Sequence, residues 1–510
     1  MYLHSLKLKN FRGFRGESQE IVFHGPNGTP GSGLNLLVGE NNAGKSTLLR
    51  AISFLHNASF EEKNPTSIAG KEDPTQPFDN IDEVGVIGEF AETSSDLMLR
   101  RIEAFVKPED LSSVQKLLTS DTHIRCRRLW HDDSQYRRIA FLKEGNGFNA
   151  KLHSSNILDL FLRGMVCIHT FGFENKSNDD KTYVFNKTCR SFLKDILQTA
   201  EKTNEYRLLK KAVNSVFGNP NSSLRRDISD VEASITSQFQ NYFGAGSLHF
   251  EFEQPTMDQL LDSLSLIVDL DCPLALSEHG QGAQRIAELA VLTAWASKEA
   301  NIELRGLKIP FIFLLDEPEI CLHPSGQERL LQALLKISQN HQVFVTTHSP
   351  IFLHSPDIRN ANLLLCRKVN GTTLVQPQTE FANTFKFSPT WGEICWYAYN
   401  MKTTEFHDEL FGHLQDRCGD TYIASVDKLI KQSLKEMQKK HVPYIWTKLN
   451  QNGVKVEEKD RTLSYCVRNA IHHPDNPFIE EGFVENHLEE SIKELLDVVN
   501  HLHSKEAPSA

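Results

Sequence analysis

"GENNAGKST", Gly39 to Thr47, is the stretch on which the fold turns. It matches G-x-x-x-x-G-K-[ST], a loop that wraps phosphates with its backbone N–H groups. Its flanks supply the required context. "GLNLLVG" is a short apolar run ending in glycine, as a buried central strand should be, and "STLLRAISFLH" carries helical periodicity. Gly39, Asn41, Asn42, Ala43, Gly44, Lys45, Ser46 and Thr47 are the nucleotide-binding candidates of this loop. The glycines let the backbone approach the phosphates, and the helix N-terminus adds a favourable dipole. Lys45 is placed to reach the β- and γ-phosphates of ATP, and the Ser46 hydroxyl to ligate Mg²⁺.

The other half of such a site stands about 270 residues downstream. In "FIFLLDEPE", Phe311 to Glu319, a buried strand delivers two carboxylates at its C-terminal end, where ligands collect in α/β sheets. Asp316 is expected to hold Mg²⁺ through water, and Glu317 to polarise the attacking water as general base. "VFVTTHS" then ends a further buried strand at His348, a candidate γ-phosphate contact. Between the halves lies "LSEHGQGAQRIAEL", Leu276 to Leu289. Ser277, followed by Gly280, Gly282 and an apolar helix, suits an anion. Since the chain already has a phosphate loop, this second anion site points to another subunit's nucleotide.

A length of 510 residues allows about two to four domains. With 39% hydrophobic and 24% charged residues, the composition is that of a soluble globular protein and excludes a disordered one. No run approaches the roughly 18 unbroken apolar residues of a membrane span, and the opening residues alternate instead of forming a signal-peptide core. The chain reads as cytosolic, with no membrane partner. Its nine cysteines are scattered, with no C-x-x-C pair, so they read as reduced packing residues. The net charge of −11 excludes general attraction to nucleic acid and leaves only a local patch. The candidate is "RCRRLWHDDSQYRR", where Arg125, Arg127, Arg128, Arg137 and Arg138 flank Trp130 and Tyr136. The competing reading of that patch is the solvated face of two strands.

Strands alternating with helices predict an α/β fold, a mixed and mainly parallel sheet flanked by helices. The expected division is an N-terminal lobe over 1–150, a helical insert over 151–243, a C-terminal lobe over 244–380 and a mainly helical domain over 381–510. There is no internal repeat and no sustained heptad run.

Taken together, "LKLKNFRGF", "GENNAGKST", "LSEHGQGAQR", "FIFLLDEPEICLHP" and "TTHSP" resemble the SMC, RecF and OLD-like branch of ABC ATPases over roughly residues 1–370. The resemblance implies an ATPase head that binds two ATP between two copies of itself, head to head. Ser277, Gly280 and Gly282 would then contact the nucleotide held by the other head's Lys45. "EPEICLHP" would be the D-loop, with Glu319 and His323 near the dimer seam. The signature departs from L-S-G-G-Q by placing Glu278 and His279 ahead of Gly280. The lack of long heptads separates the chain from chromosome-tethering SMC proteins. Its short helical insert is similar to the compact ATPases of Septu and related retron anti-phage systems, which implies an HNH nuclease partner. RecF-like repair ATPases are the alternative within the branch. No acidic cluster of Toprim character follows residue 380, where OLD nucleases place one.

The tail holds one more motif. "RNAIHH" sets Arg468, Asn469 and His473 in the R-x4-H pattern of HEPN ribonucleases, which would make the chain a self-contained, nucleotide-gated RNase. An ordinary helix stop before Pro474 explains the same residues. Positions five apart lie about 140° apart on a helix, so Arg468 and His473 converge only if the helix ends near His472. His472 shares a face with Arg468 more naturally. The following helix carries Leu488, Ile492, Leu495, Leu496 and Val499 on one stripe and so needs an apolar partner surface. A HEPN-like helical fold used for docking would supply one.

Overall fold

A computed structural model describes residues 1–56, 84–105, 118–129, 139–142, 166–171, 203–219, 221–243, 249–250, 266–269, 272–287, 290, 294, 303–304, 307–308, 310–419, 422–440, 442–449 and 455–506. The chain divides into two compact units. One comprises Met1–Phe173, Ala300–Glu319 and Gln327–Ala510, and the other Glu174–Glu299 with Ile320–Gly326.

The first unit is built on two sheets. The parallel one runs, in spatial order, Thr372–Pro377, Asn362–Val369, Leu34–Val38, Gln342–Thr346, Phe311–Asp316 and Cys167–Phe171. Only the edge strand Thr372–Pro377 pairs antiparallel. Its central strands are buried on both faces, which is why "LNLLV", "FIFLLD" and "QVFVT" read as unbroken apolar runs. The second sheet is antiparallel, in the order Ile21–Val22, Tyr2–Lys9, Gly85–Ala91, His123–Leu129 and Leu118–Ser120, with Ile139–Leu142 also paired to His123–Leu129. The helix Lys45–His56 contacts strands of both sheets and buries Leu48, Leu49, Ile52, Phe54 and Leu55. It ties Leu3, Phe11, Val86 and Phe90 to Ile312, Leu314 and Phe344 in one core.

Two expectations change here. The strand Cys167–Phe171 falls inside the stretch read as a helical insert, and it pairs with Phe311–Asp316 as part of the parallel sheet. The arginine patch is not a nucleic-acid surface in its described part. Arg127 and Arg128 are 1% and 0% exposed. Neighbours on a strand face opposite sides, and both sides are covered here. Arg128 donates from Nε to the Leu55 carbonyl at 2.9 Å, at the end of the helix that follows the phosphate loop. Arg125 is paired with Glu89 at 3.3 Å. Trp130, Tyr136, Arg137 and Arg138 lie outside the described residues.

After residue 377 the same unit turns mainly helical, with helices Trp391–Tyr399, Thr404–Cys418, Ile423–Glu436, Leu463–His472 and Phe483–Glu506. A hairpin of Tyr444–Leu449 against Lys455–Arg461 interrupts them. The apolar stripe of the last helix finds its partner within the chain. Leu488, Ile492, Leu495 and Val499 are buried against Phe406, Leu410, Phe411, Leu414, Leu463 and Val467. Among the described residues no helix is long and apolar enough to cross a membrane.

The second unit carries the helices Asn204–Val213 and Ser223–Phe243, joined through a π-turn at Asn214–Gly218. It also carries a short hairpin, Ile267–Asp269 against Pro273–Ala275, that leads into the signature segment.

Candidate functional site

Three parallel strands, Leu34–Val38, Phe311–Asp316 and Gln342–Thr346, end together, and the candidate residues stand just beyond them. Gly39, Asn42 and Gly44 take φ of 139°, 64° and 105°, the turns that fold the loop back over the helix start. Space demands the glycines as well. A Cβ on Gly39 would stand 2.0 Å from the Cys366 carbonyl oxygen, and one on Gly44 2.7 Å from the Thr373 side chain. Ala43 is buried, Asn41 lies in the turn before it, and Ser46 and Thr47 stand in the first turn of the helix Lys45–His56.

Lys45 is 5% exposed and donates from Nζ to the Gly39 and Glu40 carbonyls, both at 2.9 Å. Burial lowers its pKa, and the carboxylates of Glu317, Asp316 and Glu319 act in the opposite sense. An ammonium held over its own loop by two carbonyls can exchange them for the oxygens of an anion.

Asp316 meets Ser46 across the site. Its Oδ1 accepts from Ser46 Oγ at 2.9 Å and from Thr346 Oγ1 at 2.6 Å. The hydroxyl and the carboxylate expected to share a magnesium ion are thus in mutual contact, a donor set of hard oxygens that fits the metal. Glu317 follows in a left-handed conformation, φ 47°, unusual for a residue with a side chain. Its N–H donates to Thr346 Oγ1 at 2.9 Å and to the Thr346 carbonyl at 3.1 Å. Its carboxylate stands 3.8 Å from His348 Nε2, each side chain about one-third exposed at 33%. Burial, with the charge of Lys45, lowers the His348 pKa below its ordinary value.

Two residues that spacing could not assign complete the arrangement. Thr346 pairs in register with Asp316 and links Asp316 to Glu317. The doubled threonine of "VTTHS" is its only trace in the sequence. Glu319 is 6% exposed within its own chain. Its Oε1 accepts from Thr347 Oγ1 at 2.6 Å and from the His348 N–H at 2.9 Å, so it holds the backbone that aims His348. Burial raises its pKa.

In the second unit, Ser277 lies in the 3-10 turn Leu276–Glu278, and Gly280 and Gly282 open the next helix. The Ile320–Gly326 segment of the same unit packs on it. A Cβ on Gly282 would come within 2.9 Å of the Cys321 carbonyl, and Cys321 Sγ meets Gln281 Oε1 at 3.1 Å. His323 is exposed, its Nδ1 3.0 Å from Ser325 Oγ.

In the tail the helix does end at His472, and His473 is its exposed C-cap. Asn469 is buried and donates to the Tyr465 carbonyl at 2.8 Å, a role inside its own helix. The contact across to the neighbouring helix belongs to His472, whose Nε2 lies 3.0 Å from Asp408 Oδ2. The Asp408 carboxyl is held below the usual range against burial, first by His407 and then by the charges of His472 and Arg468. Arg468 also sits over the Phe411 ring at 5.6 Å.

Comparison with known proteins adds four findings. Residues 34–354 match the family described as "AAA domain, putative AbiEii toxin, Type IV TA system". The chain is similar to the "Old nuclease" of Escherichia phage P2, 23% identical over 349 residues, covering 66% of this chain and 56% of that protein. It is similar to the "Retron Ec83 probable ATPase" of Escherichia coli, 28% identical over 162 residues, covering 32% of this chain and 27% of that protein. The chain therefore spans about half the length of the first relative and about a quarter of the second. Among solved structures, an SMC head bound to the C-winged helix domain of ScpA matches with a TM-score of 0.38 and 16% identity, covering 74% of this chain and 97% of that one.

Proposed function

The chain belongs to this AAA-domain family, and from that premise we propose that it is the ATP-binding and hydrolysing sensor subunit of an anti-phage defence complex. Head-to-head assembly around ATP would control an associated nuclease, of HNH type as in Septu systems. The observation that carries the ATPase part is the contact of Ser46 and Thr346 with one oxygen of Asp316, beside Glu317 and His348. The retron and phage relatives support the defence part.

Each residue has a physical task in this reading. The N–H groups of Asn41 to Thr47 would cradle the phosphates, with Lys45 against the β- and γ-phosphates. Magnesium, when bound, would neutralise phosphate charge beside Ser46 and Asp316. Glu317 would orient the attacking water and take its proton, and His348 would donate a hydrogen bond toward the γ-phosphate. Ser277, Gly280 and Gly282 would close on the nucleotide of a second copy.

Light scattering on the full chain tests this. Glu317→Gln should bind ATP and Mg²⁺, double its mass and stay doubled, while wild type returns to its starting mass as ATP is consumed. An unchanged mass for Glu317→Gln with bound ATP would remove the head-to-head assembly. Copurification of an HNH protein encoded beside this chain would support the nuclease link.

A second reading, an RNase in the tail, has its own observation in the His472–Asp408 pair beside Arg468. It predicts RNA cleavage by the pure chain that is lost in His472→Ala. Cleavage persisting in both His472→Ala and His473→Ala would end it.

A further inference from the structure

A cavity of about 680 Å³ opens in the first unit, away from the phosphate loop. Its apolar lining comes from Leu331, Ile351, Pro356 and Trp391. Three carboxylates, Glu328, Asp357 and Glu405, share the same space. Among the described residues none of the three is paired with a lysine or arginine. Asp357 accepts from Gln332 Nε2 at 2.7 Å, and Glu405 lies 3.5 Å from His354. An apolar concavity with an indole and three exposed carboxylates, beside His354, suits a cation on an aliphatic stem. A guanidinium supplies it, since it stacks on an aromatic face, forks onto carboxylates and lays its methylenes along an apolar wall.

The cavity is also wired to the nucleotide site. Its Trp391 ring lies 6.3 Å from Tyr399, and Tyr399 lies 5.7 Å from His348 and donates from its hydroxyl to the Thr347 carbonyl at 3.4 Å. The helix Pro350–His354, which lines another side, starts from Ser349, the residue after His348. Ser349 in turn donates to Gln327 Oε1 at 2.6 Å, next to the lining residue Glu328. Trp391 and Ile351 thus adjoin the segment that carries His348.

We propose that this cavity is the docking site for an arginine-bearing segment of a partner protein, and that its occupation changes ATP turnover through Trp391, Tyr399 and His348. The docking half stands alone. The turnover half rests on the ATPase reading above.

The probe is the acetylated, amidated peptide Ala-Arg-Leu-Arg-Ala, with Ala-Glu-Leu-Glu-Ala as control, titrated calorimetrically into the full chain. Wild type should bind the arginine peptide and not the acidic one. The combined variant Glu328→Lys, Asp357→Lys and Glu405→Lys should bind it at least about tenfold more weakly, a change of about 1.4 kcal/mol. A variant with the same charge change at the exposed Asp475, Glu480 and Glu481 should bind as wild type does. Equal binding by the two triple variants would show only attraction to an acidic chain and overturn the site, as would no binding by wild type at about 1 mM peptide. Displacement of the peptide by an equal concentration of arginine amide would replace a protein segment with a small cation. ATP turnover should shift at least about twofold with peptide in wild type and not in Tyr399→Leu. Intact binding with unmoved turnover would sink the coupling alone, whereas a chain that hydrolyses no ATP would sink the ATPase reading and leave the docking site standing.

Discussion

Replacing Thr346 with valine removes one hydroxyl at almost constant volume from a fully buried position, 0% exposed. That hydroxyl donates to the Asp316 carboxylate at 2.6 Å and accepts from the Glu317 N–H at 2.9 Å. A hydrogen bond to a charged group is worth about 1.5–3 kcal/mol, and the Glu317 N–H keeps its bond to the Thr346 carbonyl at 3.1 Å. Glu317 also sits at φ 47°, a conformation that costs about 1–2 kcal/mol and needs such contacts to persist. Losing about 2 kcal/mol of alignment at Asp316 and Glu317 should slow turnover by roughly 10- to 100-fold. ATP affinity should change less than about threefold, because Lys45 and the loop are untouched. Thr346→Ser keeps the hydroxyl and should retain turnover within a few-fold. Steady-state turnover alongside equilibrium ATP binding separates the two effects. A folded Thr346→Val enzyme with wild-type turnover would refute the reasoning that this hydroxyl aligns the carboxylates.

Gly39→Ala meets both a left-handed φ of 139° and the Cys366 carbonyl at 2.0 Å, so the loop must move. It should lose ATP binding by about 100-fold or more in a fluorescent-nucleotide titration, and retained affinity would contradict the geometry. Burial, then Glu405 and Glu393, raises the Glu409 pKa from 4.5 to about 7, while Thr390 Oγ1 donates to it at 2.6 Å. The folded state therefore binds a proton that the unfolded state releases, and wild type should lose stability relative to Glu409→Gln as pH rises from about 4.5 to 7. Melting curves across that window should converge at the acid end, and a parallel offset would argue against the shift. Leu495→Ala opens the centre of the tail core, where Leu495 is 0% exposed, and should cost about 2–5 kcal/mol in denaturant unfolding.

The phosphate loop was legible because its chemistry is local, with glycines, lysine and serine set by a single turn between a strand and a helix. Asp316 and Glu317 were legible because a buried strand announces its own end. Thr346 was not, since its task comes from lateral register with Asp316, a pairing between strands 30 residues apart that no spacing prints. The task of Glu319 within its own chain was not legible either, since Thr347 and the His348 N–H reach it from a strand end 28 residues away. The arginines misled for the opposite reason. A charged strand reads as solvated until the helix Lys45–His56 offers its last carbonyls to Arg128. The paired strands Tyr444–Leu449 and Lys455–Arg461 were not legible, because two short alternating segments are outweighed by the helical periodicity around them.

The central claim is that the loop from Gly39 to Thr47 holds ATP with magnesium, and equilibrium binding to the full chain tests it most directly. Wild type should bind ATP more tightly with Mg²⁺ than without, and Lys45→Ala should lose that binding while keeping its fold by circular dichroism. Lys45→Ala protein that binds ATP and Mg²⁺ as wild type does would contradict the account at its foundation.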